Sequence, residues 1–179
     1  RPGQYQVTAQ REGYHLIDTP FDVVRGEDNV FEFEFKPLPG LLDVFSEPVS
    51  GARVLVNEAD VGVTPLADLE LKAGSYDIVI EADRYLPEQQ ALEITGRGER
   101  QTLTATLAPA WARISLSTEP AGAEITLADG SVIGTTPATF ELLQGAHVLT
   151  AKLDGYKAWQ QQLEVVAGQD RQLDPVELE

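Results

Sequence analysis

The side chains best suited to acid–base or metal chemistry in this chain are His15 and His147, because imidazole both transfers protons and ligates zinc. They do not correspond. In a repeat with a step of 71 residues, His147 takes the place of Tyr5 and Tyr76, an inward strand position, whereas His15 follows Tyr14 where Leu86 and Lys157 follow their own tyrosines. Zinc needs convergent ligands, and two histidines in different units do not supply them. Asn57, Glu58 and Asp60 share one loop and Asp129 sits in its counterpart, and oxygen-rich loops of this kind hold calcium in other proteins. The alternating Asp-x-Asn-x-Asp spacing is missing, so a solvated acidic face is the simpler expectation. A Ser/His/Asp order, a phosphate-cradling glycine loop and a zincin motif are all absent. Paired carboxylates for glycoside hydrolysis need a cleft that units of about 70 residues seldom provide. No catalytic residue, no metal site and no cofactor are therefore expected.

The aromatic residues are more informative. Tyr14, Tyr85 and Tyr156 recur just after a strand, which suggests a ring packed over a turn with its hydroxyl reaching a partner. Trp111 lies in the junction "APAWA", where a large ring beside Pro109 is expected to pack between neighbouring units; the alternative is an exposed ligand platform. Trp159 corresponds to Glu88 and Ile17, so the repeat does not require an aromatic there. It is expected to be partly buried against the strand from Gln162, or, if exposed, to stack on a sugar.

Composition narrows the partners. Of 179 residues, 29 are acidic and 13 basic, a formal charge of −16, which opposes binding to nucleic acid or anionic membrane surfaces. With 42% hydrophobic residues the chain has enough apolar material to fold, and without cysteine it has no disulfides. No apolar run is long enough to insert in a bilayer. The opening Arg1-Pro2-Gly3 reads as a cut inside a larger protein, with any leader or anchor outside it.

The elements that must position these residues follow from the repeat. Gly3-Gln4-Tyr5, Gly74-Ser75-Tyr76 and Gly145-Ala146-His147 keep the 71-residue step, as do the three tyrosines. Apolar residues alternate at Tyr76, Ile78, Ile80 and Ala82, at His147, Leu149, Ala151 and Leu153, and at Phe31, Phe33 and Phe35, so each run predicts a strand with one inward face. In the middle unit strands are also predicted at 41–46, 53–57, 68–72, 89–95 and 101–107. Turn residues mark the corners: Pro48 with Gly51, Pro120 with Gly122, Gly62 before Pro65 and Gly134 before Pro137. Asp129-Gly130 reads as a type I′ hairpin. The expectation is an all-β fold of tandem small β-sandwich domains, immunoglobulin-like or transthyretin-like, the first one incomplete: 1–38 is the second half of a unit, and 39–108 and 109–179 are complete domains.

The phrases "PAGA" at Pro120–Ala123, "GTTP" at Gly134–Pro137, "DGY" at Asp154–Tyr156 and the closing "DPVEL" resemble the PEGA domain. The middle unit departs from them with the longer "PVSGA" and with Arg84 where Gly155 stands, and Ala121 replaces the name-giving glutamate. The resemblance implies a β-sandwich module of an extracytoplasmic bacterial protein, periplasmic or on the cell surface, with no catalytic residues. On this basis the expected function is a non-catalytic, semi-rigid spacer or scaffold in a larger envelope protein, whose partner is the rest of the parent chain. The alternatives are a module binding envelope polysaccharide or protein through an aromatic patch or a free sheet edge, and an accessory domain of an envelope enzyme. Upstream chain is expected to complete the half-unit.

Overall fold

A computed structural model describes residues 1–26 and 28–179. Every regular element among them is a β-strand. The chain forms two compact units, one of 1–81 with 88–106 and one of 82–87 with 107–179.

In the first unit, β1 (Gly3–Ala9) and β2 (Ile17–Val23) form an antiparallel hairpin. A sandwich follows, built from β3 (Gly40–Glu47), β4 (Arg53–Val56), β5 (Ala59–Val63), β6 (Leu66–Leu71), β7 (Gly74–Glu81), β8 (Glu88–Ile94) and β9 (Arg100–Thr106). One sheet has the order β6-β3-β9 and the other β5-β4-β7-β8. The two-residue alternation sends Leu42, Val44, Val54, Ile78, Ile80 and Ile94 inward, all essentially inaccessible to solvent. The strands predicted at 41–46, 53–57, 68–72, 89–95 and 101–107 hold to within about two residues.

The second unit repeats the plan. Its strands are β10 (Trp111–Leu116), β11 (Thr118–Glu119), β12 (Glu124–Thr126), β13 (Val132–Thr135), β14 (Ala138–Leu143), β15 (Gly145–Lys152), β16 (Trp159–Val165), β17 (Arg171–Gln172) and β18 (Val176–Glu177). Sheets β14-β10-β17 and β13-β12-β15-β16 enclose Ile114, Leu116, Ile125, Leu149 and Leu163, and β11 pairs with β18.

The Phe31–Phe35 alternation does not become a strand. Its repeat counterpart, β9, is held by seven parallel pairings to β3, and among the described residues no strand equivalent to β3 accompanies Phe31–Phe35. A strand without a neighbour has no ladder to close. Phe31 and Phe33 are consequently 39% exposed, whereas their counterparts Leu103 and Ala105 are buried. The aromatic rings gather instead on the hairpin, with Phe21 stacked on Tyr5 at 5.8 Å and Phe31 4.5 Å from Phe21.

The hairpin after β12 also differs from expectation. Gly130 has φ +83° but Asp129 has no positive φ, so the turn is not type I′. Gly130 N–H reaches Leu127 C=O, and Leu127 N–H reaches Ser131 C=O, as in a type I turn closed by a bulge. The two-residue turn with both φ positive lies at Asn57-Glu58, in the middle repeat.

The repeated corners share a buried network. Thr64 and Thr136, each preceding a proline, are 2% and 4% exposed. Thr136 Oγ1 accepts the Ala123 N–H at 3.0 Å and lies 2.5 Å from Thr118 Oγ1, which donates to Pro120 C=O at 2.8 Å. A carbonyl only accepts, so the Thr118 proton is committed and Thr136 must donate to Thr118. The same one-way chain runs from Ala52 N–H through Thr64 and Ser46 to Val49 C=O. Backbone bonds Thr136 N–H to Ala123 C=O and Gly122 N–H to Thr136 C=O flank it, as do their counterparts at Thr64, Ala52 and Gly51.

Replacing Thr136 with valine keeps the shape and strips the hydroxyl, leaving the buried Ala123 N–H unpaired. The second sandwich should lose about 1–3 kcal/mol. Urea unfolding followed by tryptophan fluorescence reads this directly, because both tryptophans lie in that unit. Thr139→Val, at an exposed Ser115–Thr139 pair, should change stability by less than about 0.5 kcal/mol. Equal effects of the two substitutions would refute the corner's role.

Candidate functional site

The sequence-derived aromatic positions are spread over separate places. Trp111 is half-buried at the start of β10 and carries an arginine against its ring from each of two sources, Arg84 at 5.9 Å and Arg113 at 5.8 Å. Arg84 occupies the repeat position of Gly13 and Gly155 and keeps their left-handed backbone, with φ +64°. A non-glycine residue there costs about 1–2 kcal/mol. Its guanidinium pairs with Glu141 at 2.7 Å, a half-exposed contact. The loop Ala82–Pro87 is thus tied to the strand start by side chains as well as by Leu86 N–H to Ala108 C=O and Ala110 N–H to Arg84 C=O.

Trp159 opens β16 opposite Ala151 and is half-buried against the core of the second sandwich. It also borders a groove of about 490 Å³ with Gln161, Arg171, Asp174 and Glu177. Trp111 does not line this groove. One aromatic edge beside a guanidinium, amides and carboxylates is suited to contacts with polar, hydroxyl-rich ligands.

Tyr14, Tyr85 and Tyr156 close identical turns, each N–H bonded to the carbonyl three residues back at 3.1 Å. Their hydroxyls make no protein hydrogen bond among the described residues. The expectation of a hydroxyl partner is met elsewhere, at the strand position shared by Tyr5, Tyr76 and His147. There Tyr5 and Tyr76 donate to the carbonyls of Arg1 and Lys72, and His147 Nε2 lies 2.8 Å from Leu143 O. All three contacts span four residues, which explains why a histidine substitutes for tyrosine: its ring nitrogen reaches the same carbonyl. Arg11 and Arg97 flank the Tyr14 ring at 4.6 and 5.8 Å.

The loop oxygens raised as calcium ligands serve the turns. Asn57 Oδ1 accepts the Asp77 N–H, Asp60 Oδ1 accepts the Gly62 N–H, and Asp129 Oδ1 accepts from Ser131 N–H and Oγ–H. The Ser131 hydroxyl and amide hold the Asp129 carboxyl below its ordinary value. Among the described residues no three His, Asp or Glu side chains gather as metal ligands.

A charged cluster that sequence reasoning missed lies across β6, β3 and β9. Between the pairs Gly40–Leu71 and Val44–Leu66 the β6 side has one residue more than the β14 side has between Ala112–Leu142 and Leu116–Ala138, and the register shifts opposite Asp43. Asp68 sits at that bulge with φ +57°, and its N–H is taken by Asp43 Oδ1 at 2.9 Å. Arg100 Nη1 reaches both Asp43 oxygens at 2.7 Å, and its Nη2 bonds Asp68. The second sandwich lacks the bulge and has Ser115 bonded to Thr139 instead. The cluster therefore serves a local irregularity of the ladder and is not repeated chemistry.

Residues 40–110 and 111–177 each match the PEGA domain. The chain belongs to the PEGA domain family. Its fold is also similar to the solved structure of the Bacillus anthracis TIE protein, with a TM-score of 0.54 and 20% identity over 99% of this chain and 42% of that one. The chain thus spans less than half the length of that structure, and at this identity the likeness concerns the fold. No curated protein matches the chain. PEGA domains are non-catalytic modules found generally in extracytoplasmic proteins.

The Asp68 amide and then Arg100 hold the Asp43 carboxyl below its ordinary value. A depressed carboxyl pKa contributes stability above the unfolded-state value and loses it as pH falls through the folded one. Acidification from about pH 5 to about pH 2 should therefore destabilise the native chain more than Asp43→Asn, measured by urea midpoints. Parallel midpoint-versus-pH curves for the two proteins would count against the cluster.

Proposed function

We propose that this chain is a non-catalytic, semi-rigid spacer segment of a larger extracytoplasmic protein, acting through its tandem PEGA domains to hold other parts of the parent chain. The observation that carries this reading is the hydrogen bonding of the linker residues, in the same pattern at both junctions. His15 N–H reaches Lys36 C=O and Leu38 N–H reaches Gly13 C=O; Leu86 N–H reaches Ala108 C=O and Ala110 N–H reaches Arg84 C=O. Linkers so engaged lack the freedom of glycine-serine tethers. The charge of −16 supports solubility and discourages self-association. The rest of the parent chain is the principal partner, and it completes the half-unit by covering Phe31 and Phe33. The extracytoplasmic setting rests on what is general for the family.

A second reading, a module that contacts envelope polysaccharide, is favoured by the Trp159 groove. In that reading the groove takes the sugar and Trp111 remains with its arginines.

Hydrogen exchange tests the spacer. The Leu38 and Ala110 amides should exchange at least about tenfold more slowly than in an unstructured peptide. In a parent chain extended upstream of Arg1, the 29–35 amides should become protected as well. Free exchange at both Leu38 and Ala110 rules out the spacer, while unchanged exchange at 29–35 rules out completion from upstream.

A further inference from the structure

A hollow of about 600 Å³ lies within the first unit, between the Lys36–Pro39 linker, His15 and the end of β6. Its apolar lining comes from Pro37, Leu38, Pro39 and Ala73, and its polar groups are His15, Lys36, Lys72 and Glu70. The size falls in the range of small-ligand sites, which combine an apolar body with a few convergent polar groups. The chain has only four lysines, Lys36, Lys72, Lys152 and Lys157, and two of them border this one hollow in a molecule of net charge −16.

The second junction serves as an internal control. By the matching linker bonds and strand pairing, Leu86, Ala108 and Leu143 stand where the first junction has His15, Lys36 and Lys72, and Trp111 replaces Pro39. Glu141, the counterpart of Glu70, is engaged by Arg84. The same backbone bonds form at both junctions, so the fold does not require the cations of the first. The walls there are fixed: Leu38 C=O accepts the Arg97 N–H at 2.7 Å, Gly13 abuts Arg97 where a Cβ would come within 2.7 Å of the Arg97 Cβ, and Lys72 C=O accepts the Tyr76 hydroxyl. Among the described residues, the side chains of Lys36, Lys72, Glu70 and His15 form no ion pair with one another or with any other group. The backbone is anchored while the charged tips stay available.

We propose that this hollow binds a small ligand that joins a carboxylate and an amide N–H to an apolar body. The ammonium groups of Lys36 and Lys72 take the carboxylate, Glu70 accepts from the amide N–H, and the prolines, Leu38 and Ala73 cover the apolar part. An acidic N-acetyl sugar and an N-acylated amino acid both present this chemistry. The inference is independent of the spacer role, which concerns the linker backbone and would stand if the hollow binds nothing.

The test is an amide-resolved NMR titration of the 179-residue chain with N-acetylmuramic acid and with N-acetylleucine. Each is paired with a neutral control, N-acetylglucosamine and N-acetylleucine amide respectively. The Leu38, Lys72 and Ala73 amides should shift with a carboxylate ligand and not with its neutral partner, and whichever carboxylate binds more tightly identifies the source. The doubly substituted Lys36→Gln, Lys72→Gln chain should bind at least about tenfold more weakly, as expected for losing charge-assisted contacts. Its spectrum away from the hollow should be unchanged, which shows the fold intact. Absence of shifts with both carboxylates at about 10 mM, which would put both dissociation constants beyond those of most specific small-ligand sites, would overturn the proposal. Equal shifts with a neutral partner, or undiminished binding by the substituted chain, would overturn it too.

Discussion

A hydroxyl buried where two sheets meet must find partners for both its proton and its lone pairs, and in each sandwich Thr64 or Thr136 does so with no slack. The proton runs to a second hydroxyl and on to a carbonyl, while the oxygen collects an amide that the corner would otherwise leave unpaired. One side chain thus joins the strand entering the corner, the strand leaving it and the turn before the next proline. Valine could fill the same space but could not orient these three segments. The apolar alternation supplies the driving force for sandwich formation, and the threonine specifies how the strands cross.

Around that fixed point the two sandwiches tolerate length changes. The middle repeat has an additional residue in its Pro48–Gly51 corner, and the chain of hydroxyls compensates by donating to Val49 C=O, where the second sandwich uses Pro120 C=O. The hairpin after β12 has an additional residue of its own, absorbed by a left-handed glycine and a bulge. The bulge at Asp68 needs more, because the displaced amide faces an acceptor that no strand provides; Asp43 accepts it and Arg100 balances the two carboxylates. Each insertion is answered locally, and the register is recovered within a few residues.

This distinction accounts for what was legible in the sequence. Strands β3, β4, β6, β8 and β9 were readable because each keeps its own alternation and its own bounding turn residues. Phe31–Phe35 has an equally good alternation and forms no strand, since alternation reports a face and cannot report whether a neighbouring strand is there to pair with. The Asp129-Gly130 turn was misjudged because that dipeptide suits both a type I′ turn and the longer bulged form, and loop length decides between them. The threonine network left a signal in the two complete repeats: a hydroxyl residue stands 18 positions before the threonine of Thr64-Pro65 and of Thr136-Pro137, at Ser46 and at Thr118. The Asp43–Arg100–Asp68 cluster left none, because it occurs once and its members are far apart in sequence. The grouping at the linker hollow was hidden for the same reason, since Lys36 and Lys72 come together only when the linker folds back toward β6.

The two junctions show how a repeat acquires differences in chemistry without a change of fold. Their hydrogen bonds are made by backbone groups, at Gly13, His15, Lys36 and Leu38 in one and at Arg84, Leu86, Ala108 and Ala110 in the other. Main-chain groups are the same whatever side chain they carry, so substitutions at these positions leave the joint intact. Arg84 shows the limit of that freedom: it pays a left-handed backbone that glycine would adopt without strain, and its side chain offsets this by pairing with Glu141 and lying on Trp111. One junction has therefore been closed by an aromatic ring and an ion pair, while the other, among the described residues, keeps its charged side chains without an ion pair around open space. In a fold whose geometry is set by the main chain, such surfaces can diverge one residue at a time, because no substitution there has to be matched by a compensating change in the core.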